Sequence, residues 1–169
     1  MARLVWILLV LITFFGVSCT PEPEVTKDGI DKTYFESGKI REEIPMKNGK
    51  PHGLVFLYYE SGKVHQESNF ENGLPNRVSK FYRGDGSLWF ESNFKDGKQQ
   101  GFDRFYDKEG NLTSETNYED GKKNGKAVTY NKDGTICHLT YKDDEEVEKN
   151  CEQTKSDSAE MPQPEPSSG

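Results

Sequence analysis

Residues 62–86 read GKVHQESNFENGLPNRVSKFYRGDG. Turns frame this stretch and divide it. Ser61-Gly62-Lys63 opens it, Asn72-Gly73 sits in the middle, and Asp85-Gly86-Ser87 closes it. An Asn-Gly pair between alternating segments marks a two-residue hairpin in which both turn residues take positive φ. The segments between turns run about eight to ten residues, the length of a strand. Along the first of them Val64, Gln66, Ser68 and Phe70 fall on one face, and His65, Glu67 and Asn69 on the other. Alternation of period two predicts a half-buried antiparallel strand. The stretch is a β-hairpin and the start of the next.

The same unit recurs. Gly38, Gly62, Gly86, Gly110 and Gly134 are 24 residues apart, and Gly49, Gly73, Gly97 and Gly121 keep the same step. So do Tyr34, Tyr58, Tyr82, Tyr106 and Tyr130. A further series, Gly53, Gly101 and Gly125, has Arg77 in its missing place. Several series in one register identify a repeat array. The predicted fold is all-β: about five 24-residue hairpins over residues 34–144, forming one elongated, twisted antiparallel sheet. Pro45 and Met46 stand where later units carry strand residues, which predicts a frayed first repeat. The last unit is one residue short, because Tyr141 replaces the aromatic expected at 142.

The run NGKPHG at 48–53, then Tyr58 and Gly62, recurs as DGKQQG…FY…EG and DGKKNG…TY…DG. It resembles the MORN repeat, and more closely the bacterial variant found in proteins labelled YwqK-family antitoxins. The resemblance covers residues 34–144. It implies stacked hairpins, a scaffold or interaction surface and no active site, and the antitoxin label implies binding of a protein toxin.

The flanks differ from the array. Residues 4–15 (LVWILLVLITFF) form an apolar run after Arg3, too short for the roughly 20 residues of a spanning helix and suited to a signal peptide. Gly16, Val17, Ser18 and Cys19 follow, an ending that resembles a bacterial lipobox. That resemblance implies a signal peptide over 1–18, cleavage between Ser18 and Cys19, and lipid attachment at Cys19. Ordinary secretion and an uncleaved anchor are the alternatives, and all three export the chain. Residues 19–33 then read as a lipidated cysteine with a polar tether. The expected location is the membrane, on its periplasmic or cell-surface side.

The 169 residues carry a net charge of -7. Residues 143–169 hold nine acids and two bases, so this segment accounts for all of it. Residues 145–169, which include Pro162, Pro164 and Pro166, read as an acidic disordered tail. A neutral array with an acidic end argues against a nucleic-acid partner. Cys137 and Cys151 form a possible disulfide, with Cys137 placed on the exposed face.

No catalytic or metal site and no cofactor is predicted. His52, His65 and His138 occupy three different repeat positions. Glu43, Glu67, Glu91 and Glu115 recur two strands apart, about 9.5 Å, too far to share an ion. They read as a solvated face with Lys neighbours. The Tyr series, with Phe70, Phe94 and Tyr118, reads as the packed face. Trp89 stands alone at a position aligned with Arg41, His65, Thr113 and Cys137, which disfavours a ladder of sugar platforms. The expected partner is another envelope protein or a second copy, with no evident small-molecule substrate.

Overall fold

Two kinds of turn alternate along the chain and set the topology. At one end of the sheet, Asn48-Gly49, Asn72-Gly73, Asp96-Gly97 and Asp120-Gly121 all have positive φ at both residues. That is the twist a two-residue hairpin needs to match its strands. At the other end, three-residue turns close through bonds such as Gly62 N–H to Tyr59 O at 2.8 Å.

The computed structural model describes residues 28–154. Thirteen strands form one antiparallel sheet: β1 (Gly29–Tyr34), β2 (Ile40–Lys47), β3 (Lys50–Pro51), β4 (Gly53–Tyr58), β5 (Val64–Glu71), β6 (Leu74–Tyr82), β7 (Leu88–Lys95), β8 (Lys98–Gln99), β9 (Gly101–Tyr106), β10 (Leu112–Glu119), β11 (Lys122–Tyr130), β12 (Thr135–Lys142) and β13 (Glu145–Gln153). Neighbours in the sheet are neighbours in sequence, with β3 and β8 the short outer pieces of the β4 and β9 rungs. The expected all-β repeat sheet is therefore present. Among the described residues no helix is long and apolar enough to cross a membrane.

Three boundaries are corrected. The tether expected through residue 33 ends earlier, because Gly29–Tyr34 pairs with β2 as an edge strand. The first repeat is not frayed at Pro45 and Met46, since β2 runs through both and they pair with Ile30 and Gly29. Disorder expected from residue 145 gives way to a nine-residue strand, β13, paired along β12. The connecting turn has no glycine. Asp143 and Asp144 take φ of 51° and 74° instead, and Asp144 Oδ1 accepts the Lys123 amide at 2.8 Å. Asp tolerates this conformation through such local hydrogen bonding.

The alternation read from sequence also shifts. Between β4 and β5, Leu57 faces Gln66 while Tyr58 faces Val64, so His65 is an extra, bulged residue. The same register shift recurs at Tyr34, Tyr82 and Tyr106. A bulge puts two residues of one strand against one of its partner. Val64 therefore joins Tyr58 rather than Gln66. Between β11 and β12 no such shift occurs, which accounts for the short last unit. Cys137 consequently aligns with Ser114 and not with the bulge position, and it is buried at 7% exposure instead of exposed.

Most buried residues form a row across one face, with Tyr106 and Leu112 buried on the other. Val55, Ser68, Ser79, Ser92, Asp103, Thr116, Ala127 and Leu139 oppose one another strand by strand, and all but Thr116 are buried.

Candidate interaction surface

One position along from that row, on the same face, lie Leu57, Gln66, Phe81, Phe90, Phe105, Ser114 and Thr129. The aromatic members stand together on β6, β7 and β9. Phe81 and Phe90 have ring centroids 5.3 Å apart, and Phe90 stacks on Phe105 at 4.4 Å. Trp89, the bulge residue of its unit, meets Phe105 edge-on at 6.4 Å. Such pairs add about 0.5–1.5 kcal/mol beyond their buried area. Yet the cluster is not sealed: Trp89 is 47% and Phe105 39% exposed. Large rings held against neighbours and left half open form a rigid contact surface.

This cluster does not repeat, so the period conceals it. Phe81 and Phe105 share one repeat position, but Phe90 and Trp89 come from others and join them only through cross-strand register. The structure brings Trp89 into an aromatic group that the alignment of units left isolated.

In the neighbouring row, beside the cluster, sits a buried carboxylate. Asp103 accepts from the Ser92 hydroxyl at 2.5 Å and from Gln99 Nε2 at 2.7 Å. Burial pushes its pKa up, and these two hydrogen bonds pull against that shift.

The opposite face is a charge ladder. Lys32, Glu43, Phe56, Glu67, Lys80, Glu91, Arg104 and Glu115 oppose one another in that order. Lys32 pairs with Glu43 at 2.7 Å and Arg104 with Glu115 at 2.6 Å. The repeat tyrosines lie on this face. Tyr58 donates to Glu43 at 2.7 Å, and Tyr106 to Glu91 at 3.0 Å. The Lys32 hydrogen bond, then that of Tyr58, holds Glu43 below its ordinary range. Burial, then the nearby Glu, pushes Tyr58 and Tyr82 up to about 12. The glutamates expected on a solvated face are thus half-buried partners of Tyr and of cross-strand bases.

The turn glycines also stitch units together. Gly73 N–H donates to Pro51 O, Gly97 to Pro75 O and Gly121 to Gln99 O, at 2.8–2.9 Å. The three histidines stay apart. His52 lies by the Asn72 amide, His65 against Tyr59, and His138 beside Glu152. Among the described residues no group of three or more His, Cys, Asp or Glu could hold a metal ion. Cys137 and Cys151 oppose each other across β12 and β13 and are joined by a disulfide. Ser18 and Cys19 lie outside the described residues.

Three hairpin segments, residues 27–48, 51–72 and 104–120, match a family model described as the MORN repeat variant. MORN repeats are present. The matched segments fall on β1–β2, β3–β5 and β9–β10, so each MORN unit contains the 3-residue-turn hairpin and its bulge. No curated protein matches the chain. The aromatic cluster spans a matched MORN unit, with Phe105, and an unmatched one, with Trp89 and Phe90.

Proposed function

We propose that the chain is a non-enzymatic lipoprotein of the cell envelope whose MORN repeats form a protein-binding scaffold. The observation that carries the binding role is the half-exposed cluster of Trp89, Phe90 and Phe105 on an open sheet. The apolar run at 4–15 and the Ser18-Cys19 ending support export and anchoring through a lipid on Cys19. The polar residues after Cys19 would give the sheet reach from the membrane. The partner is another envelope protein. A photoreactive residue in place of Trp89, activated in intact cells, is expected to capture one such protein, and the Phe105→Ser change to abolish capture. Recovery of a cytoplasmic toxic protein would replace this reading with the antitoxin one. Labelled palmitate is expected to enter the wild type and not Cys19→Ser; labelling of both would overturn the anchor.

One observation favours a second reading. Trp89 beside Phe105 offers a stacking surface for a sugar ring, and pelleting with purified cell wall that is lost in Trp89→Ala would support glycan binding.

A further inference from the structure

The aromatic cluster and the end of β13 lie toward the same end of the sheet. Thr154 donates its amide to Gly134 O at 3.0 Å, in the three-residue turn between β11 and β12. Trp89 follows the equivalent turn at Gly86, between β6 and β7. The row that holds Phe105, Ser114, Thr129 and Cys137 ends at Cys151, three residues before Thr154. The N-terminal segment, by contrast, enters at the opposite end, where the Asn48 amide donates to Asp28 Oδ1 at 2.6 Å.

Fifteen residues follow Thr154, and they include Met161-Pro162-Gln163-Pro164-Glu165-Pro166. Prolines at alternate positions fix φ and favour an extended polyproline II segment, which aromatic surfaces bind at low entropic cost. From β13 to β9 the path crosses four strand spacings, about 19 Å, and to β7 about 24 Å. The eight residues from Thr154 to Pro162 span up to about 26 Å. Phe105, Phe90 and Trp89 are therefore within reach of the prolines, while a much shorter tail would fall short.

We propose that the C-terminal segment around Pro162, Pro164 and Pro166 folds back onto this aromatic cluster and covers it in the free protein. Tethering on a short chain gives an effective concentration in the millimolar range, so even weak docking is populated. An incoming partner would compete with the chain's own tail. Docking of the tail needs only the cluster and the tail's own length, whatever partner the sheet binds.

A photoreactive benzoylphenylalanine at Met161 in the full chain tests it. The expected cross-links are intramolecular and fall on the tryptic peptides 84–95, with Trp89 and Phe90, or 105–108, with Phe105. Their yield should drop about tenfold when Pro162, Pro164 and Pro166 are all changed to Ala, and again in Trp89→Ala. The proline changes fall after the thirteen strands in sequence, and an unchanged urea midpoint of the triple variant would show that the sheet is intact. Links to other strands, or a yield indifferent to the prolines, would overturn the proposal. Mixed-isotope chains that cross-link between copies would overturn it too, in favour of an exchange between two molecules.

Discussion

Arg77 shows the repeat working against one of its own residues. Gly53 and Gly101 open β4 and β9 and Gly125 lies in β11, at φ of 106°, 93° and 88°, and Arg77 takes the same repeat place in β6 at 70°. A side chain there costs about 1–2 kcal/mol, which glycine avoids. Arg77→Gly is therefore expected to raise stability by about 1 kcal/mol in urea unfolding; an unchanged or lower midpoint would show that the arginine side chain offsets the strain. Asp103 gives a pH dependence of definite sign. Its folded pKa is raised by burial, so its contribution is full below the ordinary carboxylate range. It is lost as pH rises through the folded value. Asp103→Asn removes that loss while keeping a side-chain oxygen for Gln99 Nε2. The variant should melt higher than wild type at neutral pH, with the gap closing under acid. Parallel melting curves at every pH would refute the assignment.

The hairpin is the element at which sequence and structure agree best. Turns depend on a few residues, and Asn-Gly or Asp-Gly states its backbone need locally. The bulges were hidden because each 24-residue period already contains the extra residue; only the short last unit exposes it. Strand β13 was hidden for a different reason. Its charge composition reads as a tail, and all nine of its residues are exposed. What places it is the Asp143-Asp144 turn, a backbone ladder and the disulfide from Cys137, which is itself buried. The Phe81–Phe90–Phe105 cluster was illegible because only Phe81 and Phe105 share a repeat position, and Phe90 comes between them through register between strands. The disulfide leads to a prediction for the element. Replacing Cys151 with Ser should lower unfolding free energy by about 3 kcal/mol, as chain entropy gives for a loop of this length. Equal urea midpoints for the oxidised wild type and the variant would sink it.

The whole molecule is a row in which strands contact chiefly their neighbours in sequence. Stability in such a row accumulates from adjacent pairs, and opening starts from the ends. The two ends are not equivalent. Among the described residues β1 pairs with β2 alone, through a ladder that includes Pro45, which has no N–H to give. β13 carries Glu145, Glu146, Glu148 and Glu152, which discourage pairing with further strands, and a covalent link to β12. The centre, β5 to β9, holds the buried serine row and the aromatic cluster. Amide exchange should therefore be slowest in β6, β7 and β9 and fastest in β1, with β13 between them. Adding a dithiol reductant breaks the S–S bond to two thiols, oxidises the reductant to its own disulfide, and leaves β13 with backbone pairing only. Its exchange should then rise to that of β1, while β6 and β7 stay unchanged. If β6 exchanges faster as well, the sheet opens as one cooperative body and the row of semi-independent hairpins is the wrong description.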